Sequence, residues 1–484
     1  MSVPPIRNPL APEHLVHPDD INAVARSVWP ESAERRDDGE LVVGGIAASE
    51  LAAEYGTPLY VYDEADVRGR ATRTRTAFHD AFEAIGASAK VYYAGKAFLS
   101  VGVARWMNEL GLYIDVASLG EFTIALSGGV DPARVGFHGN NKSRAEIAAA
   151  VRLGVGAIVL DARIEIDRVA AEAARAGVRQ RVRLRVNSGV HASTHDFLAT
   201  AHEDQKFGVP LDEVASLVAT IRGHDSLEFL GLHCHIGSQI FDTGGFSESA
   251  RRLLAVHRDL LADGPVPELN LGGGFGIAYT EADRPAPIER IAQEMAEAVA
   301  ETCADLDIPV PTVAVEPGRS IVGPGGITLY EVGTVKDVRV AEHSDAIRRY
   351  VSVDGGMSDN LRTALYGADY TVRIASRRSE APAELVRVVG KHCESGDIVV
   401  DADYLPADVA PRDLLAVAAT GAYCFSLSSN YNYLGRPAVV AVRDGQMRLL
   451  VRRETEVDLL ARDAEFDVTA MKRAGLVVES EGKS

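Results

Sequence analysis

The run KVYYAGKAF (90–98) is apolar and β-prone, and it ends in a single lysine, Lys96. A lysine is rarely buried without a partner, so one at the end of such a strand either meets water or is kept for chemistry. Three further stretches carry groups of the second kind. LNLGGGFG (269–276) sets Gly272, Gly273 and Gly274 in a row after a strand. Backbone amides there either converge on an anion or simply form a tight turn, and the run fits neither a Walker A loop nor GxGxxG. HCHIGS (233–238) places His233 and His235 on one face of a strand. Such a pair binds a metal when other ligands join it, but no second histidine pair and no carboxylate set follows, so no metal is expected. His233 then reads as a packed core residue, and His235, nearer the strand end, as a ring laid on a planar ligand. EPGRS (316–320) presents Glu316 stiffly before Pro-Gly, as a general acid or base, a metal ligand, or the partner of a protonated pyridine nitrogen.

One cofactor joins these observations. A lysine amine condenses with an aldehyde, glycines cradle a phosphate, and a carboxylate keeps a ring nitrogen protonated so that the ring accepts electrons. Those are the needs of pyridoxal 5'-phosphate.

The elements that must position these groups alternate along the chain. Short β-rich runs occur at 90–96, 112–118, 135–140, 157–162, 181–187, 231–238, 268–274 and 312–318, separated by alanine-rich helical segments that often stop at glycine. Eight strand–helix units predict a (β/α)8 TIM-like barrel, with a doubly wound sheet as the other arrangement of such units. Lys96, His138, Asn187, His235, Gly272–Gly274 and Glu316 all fall at the C-terminal ends of their strands, the face on which barrel enzymes build their sites. Beyond about residue 325 the runs ITLYEVGTVKDVRV, ELVRVVG, DIVVDADY and AVVAVRDGQMRLLVRR are short and alternating, which predicts a mostly antiparallel β domain. The expected organisation is an extended arm over 1–40, a segment over 41–60 that pairs with the β domain, a pyridoxal-phosphate-binding barrel over 61–323 and the β domain over 324–484.

Composition narrows the function classes. The 484 residues are 46% hydrophobic and 25% charged, as in a globular protein of more than one domain. A net charge of −19 disfavours a nucleic-acid surface, and the arginines between Arg68 and Arg75 fall at the spacing of a solvated helix face. No signal-peptide pattern opens the chain, and the longest uncharged run, 414–435, carries too many Thr, Ser, Asn, Tyr and Gly to span a bilayer. Cys234, Cys303, Cys393 and Cys424 lie far apart without a CxxC pair, so free thiols and a cytoplasmic location are expected.

Nine stretches in order resemble the diaminopimelate decarboxylase family: GTPLYVYD (56–63), YYAGKA (92–97), HGNNKS (138–143), HCHIGSQ (233–239), GGGFG (272–276), EPGRS (316–320), DGGMSDNLRTALY (354–366), HCESGD (392–397) and GAYCFSLSSNYN (421–432). The resemblance spans about 40–450 and implies a barrel joined to a β domain and decarboxylation of meso-2,6-diaminopimelate to L-lysine. Another basic-amino-acid decarboxylase and a non-catalytic cofactor-binding relative are the alternatives. By resemblance, Lys96 is similar to the lysine that carries the cofactor, and His235 to the imidazole over its ring. Ser238 and Gly272–Gly274 are similar to the phosphate cradle, and Glu316 to the partner of the ring nitrogen. Arg319, Arg362 and Tyr366 resemble the contacts to the substrate's distal carboxylate, Glu394 the reader of its distal amine, and Tyr423 a residue near both cofactor and substrate. Cys393 resembles a proton donor that a neighbouring subunit supplies in an obligate homodimer with shared active sites. These roles make physical sense. Arginine grips a carboxylate bidentately where lysine does not, and a thiol with a reference pKa of about 8.5 holds its proton at neutral pH. The chain departs from the family pattern at Thr200-Ala201 and in its longer arm.

Overall fold

The protein is described from a computed structural model covering residues 8–190, 206–340 and 346–467, with 469, 473 and 475. The Thr200-Ala201 departure and the first residues of the arm lie outside the described residues. The chain divides into two compact units, Ala65–Ala278 with Asp283–Pro324, and Met1–Glu64 with Tyr279–Ala282 and Gly325–Ser484.

In the first unit, strands Ala89–Ala94, Tyr113–Val116, Val135–Phe137, Ala157–Leu160, Gln180–Arg185, Leu227–His233, Glu268–Asn270 and Thr312–Val315 pair in parallel. They close into a barrel, which decides against the open doubly wound sheet. The helices between them follow from local sequence. Ser100, Ser118 and Ser143 stand just beyond strand ends and cap the helices Val101–Glu109, Leu119–Ser127 and Arg144–Arg152, the last through a capping box with Glu146. Helix Ile288–Asp305 buries Ile291, Ala292, Met295, Ala296, Val299 and Cys303, a 3.6-residue rhythm that fixes its inward face.

Toward the N-terminal ends of the strands the barrel interior holds charges. Arg183 Nη2 donates to Glu268 Oε2 (2.7 Å) and to the Tyr92 hydroxyl (2.8 Å), and Lys90 pairs with the other oxygen of Glu268. Burial alone would push the Glu268 carboxyl up, but the Arg183 charge and Lys90 hold it below its ordinary range. One carboxylate thus pairs with two cations.

In the second unit, the nine-stranded sheet runs in the order Ile398–Pro406, Ala383–Val389, Ala346–Val353, Gly326–Val340, Leu59–Asp63, Ala438–Arg443, Gln446–Val451, while Leu414–Val417 joins Gly326–Val340 and Val372–Ile374 joins Leu414–Val417. Most pairings are antiparallel. Two are parallel, Ala346–Val353 with Ala383–Val389 and Leu59–Asp63 with Ala438–Arg443. The Asp444-Gly445 step, with both residues at positive φ, makes the tight turn that such a dipeptide favours between two strands. Leu41–Val43 and Ile46–Ala47 form a separate three-stranded sheet with Glu34–Arg35, tied to the unit by the Leu41 amide on the Ala375 carbonyl at 2.8 Å. Earlier in the chain Trp29 is fully buried, and Asn22 exchanges hydrogen bonds with the backbone of Ser379. The segment before residue 40 is thus anchored at Asn22 and Trp29.

Glu268→Leu removes the shared counter-charge and leaves the buried Arg183 and the half-buried Lys90 without their carboxylate. It should destabilise the protein by about 3–5 kcal/mol, read as a lowered denaturation midpoint at unchanged m-value.

Candidate active site

At the C-terminal end of the barrel, strand Ala89–Ala94 runs into a single 3-10 turn, Gly95–Ala97. The residue before the lysine has to be glycine, because a Cβ at Gly95 would come within 2.8 Å of the Asp115 carbonyl. The Tyr93 hydroxyl bonds the Phe98 carbonyl and braces the turn from below. Lys96 is thereby presented outward while both its neighbours are buried. Its charge acts on Asp115, Glu121 and His235, which places it among the groups of the barrel mouth.

Glu316 stands at the end of Thr312–Val315 and gathers donors from two other strands of the barrel. Asn270 Nδ2 donates to Oε1 at 2.7 Å, and His233 Nε2 lies 3.1 Å from the same oxygen. His138 Nε2 is 3.5 Å away and also 3.1 Å from Asp115 Oδ1. Burial opposes a charge on Glu316, but His233 and His138 outweigh it and hold the carboxyl well below its ordinary range. Asp115 takes the opposite state. Burial and then the Glu316 charge raise it well above its ordinary value, which favours its neutral form. Burial also drives His138 and His233 down to about 4 and His235 to about 3, leaving three neutral imidazoles. Two adjacent carboxyls with separated proton affinities are a common basis for acid–base assignments in enzymes.

Two of the three glycine amides have acceptors within the chain. The Gly272 amide donates to Asn270 Oδ1 (2.8 Å) and the Gly273 amide to His235 Nδ1 (3.4 Å). What requires glycine is backbone crowding, since a Cβ at Gly273 would strike the Glu316 carbonyl and one at Gly274 the Gly237 carbonyl. Gly272 and Gly274 also have φ of +70° and +112°. The Gly273–His235 bond makes Nδ1 the acceptor and leaves the imidazole proton on Nε2. Ser238 is exposed, and its hydroxyl accepts a bond from Arg319 Nη2 at 2.8 Å.

The fold therefore brings Lys96, His235, Gly272–Gly274, Ser238, Arg319 and Glu316 to one end of one barrel. His233 is the packed core residue the sequence suggests, and its partner is Glu316, a carboxylate from a strand two places along the barrel. His138, His233 and Glu316 offer ligand atoms within 4.8 Å of one another. Asp115 and Asn270 escaped the sequence analysis. Their signal was a polar residue inside an otherwise apolar strand, IDV and LNL, which is costly unless partnered.

The remaining expected residues belong to the β unit. Cys393 and Glu394 are exposed on the turn between Ala383–Val389 and Ile398–Pro406. That turn is anchored on both sides. The Asp397 carboxylate accepts the amides of Met357 (2.6 Å) and His392 (2.7 Å), and Asn432 Oδ1 accepts the Cys393 amide at 3.2 Å. Asn432 and Tyr423 hold positive φ, 52° and 68°. Arg362 is buried, and Tyr366, at the end of the same short helix Arg362–Tyr366, is 66% exposed.

An amine for an aldehyde, an ionised carboxylate for a protonated pyridine and a neutral ring beside them fit pyridoxal phosphate. Asn270→Ala would strip Glu316 of a donor and leave the buried Gly272 amide unpaired. It should cost about 2–4 kcal/mol of stability and weaken cofactor retention, measured by thermal unfolding with and without added pyridoxal phosphate.

Comparison with known proteins agrees with this geometry. The family described as "Pyridoxal-dependent decarboxylase, pyridoxal binding domain" matches residues 67–323. Diaminopimelate decarboxylase of Mycobacterium tuberculosis is 52% identical over 446 residues, 90% of this chain and 98% of the relative. That of Bacillus subtilis is 43% identical over 440 residues, again 90% and 98%. The crystal structure of diaminopimelate decarboxylase from M. jannaschii in co-complex with L-lysine superposes with a TM-score of 0.82 at 30% identity, covering 90% of this chain and 98% of that one. The chain belongs to the diaminopimelate decarboxylases, pyridoxal-phosphate-dependent enzymes built on a (β/α)8 barrel and a β domain.

Proposed function

We propose that the chain removes one carboxylate of meso-2,6-diaminopimelate as CO2 and releases L-lysine. The observation that carries this reading is the charged Glu316 in a barrel mouth shared with Lys96 and His235. When bound, pyridoxal phosphate supplies a conjugated ring that takes up the electron pair left at Cα as CO2 departs. Lys96 Nζ would hold the cofactor at its aldehyde carbon. Glu316 would hold the proton on the ring nitrogen, and its ionised state is what that task requires. His235, neutral, would orient the ring. Ser238, Gly272–Gly274 and Arg319 would hold the phosphate end, and Tyr423 would contact cofactor and substrate.

The Cα–carboxylate bond breaks, and a proton must take its place. Cys393 Sγ, supplied by the partner subunit of a homodimer, donates it, and the thiolate regains a proton from solvent. Arg319, Arg362 and Tyr366 bind the distal carboxylate and Glu394 the distal ammonium. A buried arginine at 362 suits a diamino dicarboxylic acid over ornithine, which lacks the second carboxylate. Among the described residues no helix is long and apolar enough to cross a membrane, and all four cysteines are free thiols, which supports a cytoplasmic enzyme.

Lys96→Ala should abolish the visible absorbance of the lysine-linked cofactor and all lysine production; a retained band would assign the linkage elsewhere. Cys393→Ala should keep that band while turnover falls about 10²–10⁴-fold, followed by lysine release from diaminopimelate. Mixing the two inactive variants under conditions of subunit exchange should restore about a quarter of the wild-type rate, because half the dimers are mixed and each has one intact site. No recovery on mixing would place lysine and cysteine in the same subunit's site.

A further inference from the structure

Arg362 is 6% exposed, and among the described residues no carboxylate pairs with it. An uncompensated buried cation is expensive, so its surroundings must serve some end. Two tyrosines enclose it. Its guanidinium carbon lies 4.6 Å from the ring centroid of Tyr279 and 5.6 Å from that of Tyr370, and the two rings meet edge to face at 5.1 Å and 78°. Aromatic faces stabilise a cation without neutralising it. Tyr279 is itself fixed, since Thr371 Oγ1 donates to its carbonyl at 2.9 Å.

A buried circuit sets the orientation of the guanidinium. Nη1 donates to the Tyr370 hydroxyl at 2.6 Å, and that hydroxyl, with its own proton free to donate, is 3.6 Å from Cys424 Sγ. The thiol donates to Asn360 Oδ1 at 3.5 Å, and the same oxygen accepts the Arg362 amide at 3.4 Å. The path begins at the Arg362 side chain and returns to its own backbone. Every residue on it is buried.

We propose that Tyr370 and Tyr279 are positioning residues for substrate specificity: they hold Arg362 dry, aligned and without an internal counter-ion, so that its full charge is available to the second carboxylate of the substrate. An internal carboxylate would have satisfied Arg362 equally well for stability but would compete with the ligand. Neutral π faces and one hydroxyl leave the remaining guanidinium donors uncommitted. The inference rests on the reading of Arg362 as a substrate contact, and the two separate experimentally.

Steady-state kinetics of the holoenzyme with meso-diaminopimelate, on Arg362→Lys, Tyr370→Phe, Tyr279→Leu and Tyr279→Phe, test it. Arg362→Lys checks the underlying reading: an unchanged KM there removes Arg362 from the substrate site altogether. Given a raised KM in that variant, Tyr370→Phe and Tyr279→Leu should each raise KM about tenfold with kcat within about twofold, the pattern of lost binding rather than lost chemistry. Tyr279→Phe, which keeps the π face, should behave as wild type. Tyr370→Phe should add nothing on top of Arg362→Lys, since both changes act through one group. Unchanged KM in Tyr370→Phe and Tyr279→Leu, or effects that add fully to Arg362→Lys, would overturn the proposal. If Tyr370→Phe fails to fold, Tyr279→Leu against Tyr279→Phe decides, because that pair leaves the hydrogen-bond circuit untouched.

Discussion

A carboxylate that must stay ionised inside a barrel is the constraint around which this molecule is arranged. An isolated buried charge costs far more than the margin by which a protein is folded. Glu316 escapes that cost by drawing an amide donor from Asn270 and an imidazole donor from His233, both neutral groups. Because the donors are neutral, the negative charge is stabilised without being cancelled. Asp115, 3.1 Å from His138, is shifted the other way, toward its neutral form. A second anion there would work against the first. Four residues on four strands are needed to keep one charge in place, and each strand end has to arrive at the right depth.

The opposite end of the same barrel treats charge the other way. Arg183 and Lys90 share Glu268, and the set is closed on itself by the Tyr92 hydroxyl. That arrangement leaves little for a ligand to bind and serves the fold. Between the two ends, the crowding of strand-end backbones is what makes Gly95, Gly272, Gly273 and Gly274 obligatory, because carbonyls of adjacent strands occupy the space of a Cβ. Glycine here is a packing residue first, and any anion contact depends on that close approach.

The β unit repeats the logic with the sign reversed. Arg362 is a cation stabilised by neutral groups, two tyrosine faces and a hydroxyl, as Glu316 is an anion stabilised by neutral donors. In each case the protein supports a charge and leaves it open toward a partner. Cys393 is handled by backbone anchoring. Its side chain is exposed, while Asn432 and Asp397 hold the main chain on either side of it. An exposed reactive group on an anchored turn can be presented repeatedly in one geometry.

Residue order alone determined the strand–helix alternation, the glycine helix stops, the change to alternating β runs near residue 325 and the placement of Lys96, His235 and Glu316 at strand ends. These are local properties, set by hydrophobic period and by which residues can occupy a turn. Order also showed which residue types pyridoxal chemistry needs. It left undecided whether the eight units close, because closure depends on strand stagger around the whole ring. It also missed Asp115, Asn270 and the pairing of His233 with Glu316, since these partners lie tens of residues apart and meet only when the strands register. The cage around Arg362 is of the same kind, since Tyr279, Asn360, Tyr370 and Cys424 are brought together only by folding. Proton affinities were likewise a tertiary matter: burial and neighbouring charge act through space, and only the folded chain fixes those distances.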